Sequence, residues 1–540
     1  MLERASFGRL VRAQVGAELS TRLRSVGTLV ALAALLVLSF LWMPNPSSGT
    51  VSIAWRTPEG ALQTGQYTAA FVGSSAAILA SLYLTLIGFY LVAGSVRRDR
   101  ERGIGAILAA TPMTRASYLA AKLAASSVYL LAVAGVSLIG GLAVFLLWGE
   151  GPFSLVGFLS PYLVMVPPGL IFTAAVALLF DVTPGLSGRG GQVLFFFAWA
   201  FGFLLVPAAI WGELGSTSAV PTGVPLYDPV GVVSIERFLR TALPQGFGGE
   251  LNIGLLVTDE PLSRVDWQAV PLDGEILLSR LVSLLWLLPV FGLAVLAFDR
   301  FDPARRSLRR QKKAPALPEP APGAVAAAPT AARSFKSLPR VTTRPGWARA
   351  LAAETLLLRA ESPRLFWPVA AAAFAAAIPG AAGRVPSAIF LLLLAPLIAE
   401  AASRERSAGA EALVFSQPSV PRSRALWKAA SVAVFVLVLG LPGLIGAALG
   451  SPASALGWLL GLSFVATAAV GLGSLSRGGK LFLGLYTALW YLALNAAPFA
   501  DFVGRLGPEP SLATPAAFAL LGLGLVALAA LVEGRQRVRG

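Results

Sequence analysis

The chain has no cysteine and no histidine among its 540 residues. Thiolate and imidazole metal sites, Ser-His-Asp and Cys-His catalysis, and haem ligation by Cys or His are thereby excluded. The missing cysteine does not identify a compartment, because oxidising and reducing surroundings both tolerate it. Charge is scarce as well: Asp, Glu, Lys and Arg make up 13% of the chain, against about 25% in soluble domains. What takes its place is apolar, with 56% hydrophobic residues and a mean hydropathy of +0.73. That is the composition of an integral membrane protein. Lys and Arg outnumber Asp and Glu by 43 to 27. In a soluble protein this excess would point to nucleic acid, but no aromatic-interleaved basic patch accompanies it. Cations gathered in loops on one side of a bilayer explain it more simply. The basic stretch 1–25 and the lack of a small-x-small site after the first apolar run are unlike a cleaved signal.

Apolar runs near the length a helix needs to cross a bilayer fall at 26–43, 67–94, 118–148, 156–182, 190–211 and 274–298. They recur at 364–380, 386–402, 425–448, 453–475, 480–498 and 514–533, the first of these being short and Ala-rich. The expectation is an all-α integral membrane protein of about twelve transmembrane helices. Arg4, Arg9, Arg12, Arg22 and Arg24 precede the first run, and Arg97, Arg98, Arg100 and Arg102 follow the second. Arg300, Arg305 and Arg306 follow the sixth, Arg404 and Arg406 the eighth, and Arg535, Arg537 and Arg539 end the chain. All lie on one side if the spans alternate, which places both termini in the cytoplasm. The expected location is a bacterial cytoplasmic (inner) membrane, crossed many times. The segment 212–273 lies on the other side and leans acidic.

Residues 307–345 are rich in Pro and Ala and lack apolar periodicity, so they read as a cytoplasmic linker. The linker divides the chain into tandem halves, 1–306 and 346–540, of about six spans each. "RERGIGAIL" (100–108) is answered by "RERSAGAEAL" (404–413), and Pro112 and Pro418 follow. Lys122 and Lys428 stand ten residues after those prolines. "GRGGQ" (188–192) is answered by "SRGGK" (476–480), again at matching positions. These echoes argue for internal duplication. An amphipathic interfacial helix precedes each half. In the first, Phe7, Val11, Val15, Leu19 and Leu23 recur every four residues. The counterpart, Trp347 to Arg364, is weaker because Glu354 interrupts its apolar stripe.

The loop 97–115 carries more than topology requires. Gly103 and Gly105 let the chain turn. Ile104, Ile107 and Leu108 form an apolar knob with helical spacing, and Pro112 stops the helix. An interfacial elbow helix, a set of spans, and a basic loop running Arg100-Glu101-Arg102-Gly103 through Ile107 and Leu108 to Thr111-Pro112 resemble the permeases of ATP-binding-cassette exporters. Those permeases form the ABC type-2 membrane-protein family. The resemblance covers both halves and is closer in the first. It implies that Arg100, Glu101, Arg102, Gly103, Ile104, Ile107, Leu108 and Pro112 form a coupling helix that docks on a separate ATPase subunit. Arg404, Glu405, Arg406, Leu413 and Pro418 would form the second, more polar one, where Ser407 replaces Gly103 and Glu411 enters the apolar run. The implied partners are that ATPase in two copies, the bilayer, and further membrane or periplasmic subunits, with no nucleic acid. ATP and Mg would sit on the ATPase and no cofactor on this chain. It has no P-loop: "GSLSRGGKL" (473–481) has Ser474 for the first Gly and Leu481 after Lys480.

In the family it resembles, spans two and five of each half face the transport cavity. Ser74, Ser81 and Thr85, Trp199 and Phe203, and Tyr486 and Trp490 are the candidate lining residues. No acid, base and nucleophile cluster in the spans, so an enzyme is not expected. Two other readings compete. A non-transporting scaffold or anchor subunit of an ABC-type complex would need no polar path. A secondary transporter of major-facilitator type shares the two-half plan, but its Gly-x-x-x-Asp-Arg-x-Gly-Arg loop is not met by "GSVRRDRERG" (94–103).

Overall fold

The computed structural model describes residues 7–101, 103–105, 113–211, 223–242, 251–258, 260–267, 274–301, 347–361, 363–411, 420–494, 498–506 and 512–536. Each apolar run predicted as a span contains helix among the described residues. Helix α1 (Phe7–Leu23) is followed by α2 (Val26–Leu41), strands β1 (Thr50–Arg56) and β2 (Leu62–Gly65), and α3 (Ala69–Val92). Then come α4 (Ser95–Glu101), α5 (Arg115–Trp148) and α6 (Leu155–Val182). The next apolar run is α7 (Arg189–Phe197), a π-helix over Ala198–Leu205, and α8 (Val206–Trp211). Helix α9 (Val232–Ala242), strands β3 (Leu251–Val257) and β4 (Ser263–Val265), and helices α10 (Gly274–Leu285) and α11 (Leu287–Ala297) complete the part before the Pro/Ala-rich segment. After it come α12 (Trp347–Glu361), α13 (Pro363–Ala375), α14 (Arg384–Ile398), α15 (Arg404–Ser407) and α16 (Val420–Leu439). The chain ends with α17 (Leu441–Gly450), α18 (Pro452–Ser476), α19 (Lys480–Leu494) and α20 (Ala513–Gln536).

Among the described residues, 7 helices are long and apolar enough to cross a membrane, or up to 9 if two bent pairs each count as one span. One bent pair is α1 with α2, meeting at 75°, and the other is α16 with α17, at 62°. Helices α13, α14 and α19 are shorter. The protein is thus predominantly helical and membrane-spanning in character. The linker 307–345 lies outside the described residues.

One element was not expected from the sequence. Four strands form a sheet in the order β3-β1-β2-β4. Strand β1 pairs antiparallel with β2 (Trp55 opposite Gln63) and with β3 (Ile53 opposite Ile253), while β2 pairs parallel with β4. The sheet lies at the end of the bundle where α3 begins. Trp55 and Trp267 pack with ring centroids 5.6 Å apart, and Trp267 meets Phe71 of α3 edge-on at 5.4 Å. These rings fasten the sheet to the helices.

Two short corners fold back into the bundle at the same end. In "YDPVG" (227–231) the Asp228 carboxylate accepts from the N–H groups of Gly231 and Ser234 at 3.0 Å each. In "ADFVG" (500–504) Asp501 accepts from the N–H groups of Val503 and Arg505 at 3.3 Å and of Leu506 at 2.9 Å. Each carboxylate serves backbone donors that would otherwise be buried without partners. A glycine on the neighbouring long helix makes room for each corner. Gly169 faces the Pro229 and Val230 carbonyls, and Gly457 faces that of Val503.

Helix contact in a bilayer depends on close packing rather than on expelling water, which favours small residues at crossings. Gly73 of α3 lies against α6, where an added Cβ would stand 2.6 Å from Phe158 Cα. Gly135 on the exposed face of α5 meets nothing within 4 Å. Gly73→Ala is therefore expected to destabilise the protein by about 1–3 kcal/mol through overpacking, whereas Gly135→Ala leaves its stability equal or slightly raised. Thermal unfolding of the two variants in detergent, followed by loss of the monodisperse elution peak, reads this contrast.

Candidate functional site

The end of the bundle opposite the sheet holds the densest charge. Lys122, on α5, is only 3% exposed at its side chain. Its ammonium meets Glu18 Oε2 of α1 at 3.0 Å and Asp99 Oδ2 of α4 at 2.9 Å. Glu18 also accepts from Arg22 at 2.9 Å and from Arg98 at 3.3 Å. Asp99 accepts from the Tyr118 hydroxyl at 2.6 Å. Arg100 reaches Asp299, just beyond α11, at 3.3 Å. One buried lysine thus ties together the first helix, the loop after α3 and the start of α5.

The same arrangement occurs again after the Pro/Ala-rich segment. Lys428 of α16, 1% exposed, meets Glu354 of α12 at 3.4 Å and Glu405 of α15 at 2.5 Å. Arg404 holds Glu354 at 2.6 Å. Arg424 joins Glu405 at 2.9 Å to Glu533 of α20 at 2.7 Å. The correspondence is residue for residue: Glu18 with Glu354, Arg98 with Arg404, Asp99 with Glu405 and Lys122 with Lys428. The acid stands 23 residues before the lysine in both loops. The geometric match therefore pairs "RD" (98–99) with "RE" (404–405), two residues earlier in the first loop than the match between the "RER" triplets. Glu18, Asp99 and Glu354 are the members that the sequence reading did not select. Only Asp99 carried a signal, its spacing from the lysine shared with Glu405; Glu18 and Glu354 stand at unequal distances from their lysines.

Electrostatics sets the protonation states. Burial alone would raise the Glu18 carboxyl, but Arg22, Lys122 and Arg98 outweigh it and carry its pKa down to about 2. Burial acts likewise on Glu405, where Lys428 and Arg424 hold it below the usual carboxylate range. Both carboxylates are committed to cations, and among the described residues no group of acids is arranged to hold a metal ion.

Of the loop residues singled out in the sequence, Glu101, Gly103 and Ile104 are exposed, and Glu101 pairs with Arg97 at 2.6 Å. Gly103 turns the chain with φ +75°, and Gly105 lies against the Phe301 ring. Arg102, Ile107, Leu108 and Pro112 lie outside the described residues, as do Leu413 and Pro418. In the second loop Arg406 pairs with Glu411, so the acid that entered the apolar run folds back on its own loop.

The two charge clusters flank a seam of largely neutral helices. Helix α3 packs on α19, α14 on α7, and α2 on α18 and α19. The candidate lining residues lie buried along or near this seam. Ser74 donates to its own helix at Ala70 O (2.7 Å), and the buried Ser81 hydroxyl makes no hydrogen bond. Thr85 accepts from the Trp199 indole at 3.0 Å. Phe203 packs on Phe172 and Phe195. The Tyr486 hydroxyl donates to Leu391 O at 3.1 Å and the Trp490 indole to Ala388 O at 2.8 Å. Trp490 meets Phe196, and Tyr491 meets both Tyr83 and Trp199, edge to face. A cavity of about 20 Å³ remains among Tyr90, Gln192, Phe196, Pro396, Leu483 and Thr487. That is room for about one water molecule.

Replacing Lys122 or Lys428 by Met leaves two buried carboxylates facing one another, and each change is expected to cost about 3–5 kcal/mol. Lower thermal stability and faster proteolysis of α1 or α12, respectively, are the readouts. Acid acts through Glu18 in a defined window. Its folded-state pKa is depressed, so the stability it contributes is fully present above its ordinary pKa of 4.5 and is lost as pH falls toward about 2. A fluorophore on α1 is expected to report release within that window, and Glu18→Gln to flatten the dependence. Comparison of the chain with protein-family models, with curated proteins and with solved structures finds no match.

Proposed function

We propose that the chain is the membrane-spanning permease subunit of an ATP-driven exporter, built as two fused half-permeases and energised by a separate ATPase. The observation that carries this reading is the repeated cluster. In each half it binds the interfacial helix, the loop after the second apolar run and the base of the third into one unit. A load applied to the loop then moves three elements together rather than bending one. Such a unit is what a partner needs if it is to work on the membrane helices from outside. The exposed Glu101, Gly103 and Ile104 stand at the tip of the first unit. Two more pairings support duplication: the Asp-x-Val-Gly corners packed on a glycine of the preceding long helix, and the reciprocal seam of α3 with α19 and α14 with α7.

In this mechanism, closure of two ATPase domains on ATP draws the loops at 97–115 and 404–422 together, and the seam between halves opens. The free energy comes from the partner's differential affinity for the two states. The tightness of the seam favours a second reading on one specific observation. The seam's candidate lining residues are buried against one another, and the cavity of about 20 Å³ lined by Tyr90, Gln192 and Leu483 lies toward its loop end, a packing that suits a scaffold passing ATPase force to another subunit.

Both readings require an ATPase on the loops, and the test addresses that first. Affinity purification of the full chain from native membranes is expected to bring down a P-loop ATPase that has no membrane spans. Ile104→Asp combined with Glu101→Arg is expected to reduce its recovery at least tenfold, about 1.4 kcal/mol or more in affinity, with membrane insertion unchanged. Undiminished recovery would overturn the docking surface.

A further inference from the structure

We infer that Lys480 and Asp181 form a latch at the break between α3 and α4, which ties the packing of the seam to the setting of the first loop. Helix α3 ends at Val92, the chain turns at Gly94 with φ +83°, and α4 begins at Ser95. A break of this kind strands carbonyl groups on one side and N–H groups on the other. Members of both sets find partners here from elsewhere in the molecule. The Lys480 ammonium, at the start of α19, donates to the Ala93 carbonyl. The Asp181 carboxylate, at the end of α6, accepts from Gly94 N–H, from Val96 N–H at 3.3 Å and from the Ser95 hydroxyl at 3.4 Å. Lys480 and Asp181 attract one another, with Glu400 adding attraction and Arg97 and Arg98 repelling the lysine.

Gly94 meets two demands. Its φ suits glycine, and a Cβ there would overlap the Lys480 ammonium. Helix α4 cannot rotate about Gly94 without stripping Asp181 of its donors. Helix α19 cannot leave α3 without stripping Ala93 of its own. Helix α4 also carries Arg98 and Asp99, which hold Glu18 and Lys122. Separation of α3 from α19 therefore frees α4, and a pull on α4 loads the seam. The position matched to Lys480 by the echo of 188–192 in 476–480 is Gln192, which is neutral and offers no second ammonium of this kind.

The latch goes beyond the proposed function and needs no partner for its test. The chain has no cysteine, so Glu101→Cys on α4 and Leu531→Cys on α20 give a single spin-label pair in the full-length protein. Its distance distribution in lipid vesicles is expected to be narrow. Lys480→Gln and Asp181→Asn are each expected to widen it at least about twofold, and the double variant to widen it no further, as coupled residues do. Asp181→Asn supplies the answer should Lys480→Gln fail to insert, and the reverse. An unchanged width in the variants that insert, or additive widening in the double variant, overturns the latch. Since no ATPase is present, that failure leaves the docking surface standing, and failure of the pull-down leaves the latch standing.

Discussion

A lysine buried against two carboxylates from two different helices is the constraint on which the rest of this structure depends. An ammonium as enclosed as Lys122 or Lys428 costs several kcal/mol unless its partners are close and well placed. Both of its partners must therefore be delivered at once. For Lys122 this fixes α1 through Glu18 and α4 through Asp99, and for Lys428 it fixes α12 through Glu354 and α15 through Glu405. Because two carboxylates outnumber one lysine, each cluster also recruits arginine. Arg98 and Arg22 serve the first and Arg404 and Arg424 the second. Removal of any one member leaves an uncompensated charge on the others, so each unit holds together as a whole.

The seam follows different physics. Apart from Lys480, its contacts among the described residues are largely neutral, made by aromatic edges and by hydrogen bonds that mostly close within one side, such as Tyr486 to Leu391 and Trp490 to Ala388. Edge-to-face pairs such as Phe196 with Trp490 contribute about 0.5–1.5 kcal/mol each and tolerate sliding. Charge thus stiffens each unit internally, while the seam is held by many small interactions. Proteins that change shape by moving rigid parts put their cheap contacts where the motion occurs. On that logic the seam is where the proposed exporter would open.

The helices were legible in the sequence because an apolar run of span length has few alternatives in a chain this poor in charge. The sheet was not. Strands β1 and β2 are seven and four residues long and sit between helices, and β1 pairs with β3 across about 200 residues of sequence, a distance over which local patterning carries no information. The lysines of the clusters were visible as an echo, at equal distances from Pro112 and Pro418. Their carboxylates were misread. Glu354 looked like a fault in an apolar stripe, when it is the residue that fastens α12 to the bundle. Likewise, the four-residue apolar stripe of α1 gave no sign that its neighbours Glu18 and Arg22 meet the charge cluster, while Leu19 of the stripe packs on the core. Amphipathicity marks a face, and a buried counter-charge decides which face docks.

On the proposed reading of two fused halves, the differences between them bear on why they would share a chain. The sheet belongs to the first half alone, where β1 and β2 join α2 to α3. The corresponding link from α13 to α14 holds only a short 3₁₀ turn at Ala381–Gly383. At the opposite end Lys480 crosses the seam to α3, and Gln192 offers no matching cation. A dimer of identical subunits would carry such features twice, and a cation added on one side would appear on both. Within one polypeptide each side of the seam can be altered alone. Lys480 and Asp181 could arise on one side without placing a second charged pair in the seam, where every added ion must be compensated. On the proposed reading, a fused pair would hold one loop under the control of the seam and leave the other free of it, which two separate identical chains cannot do.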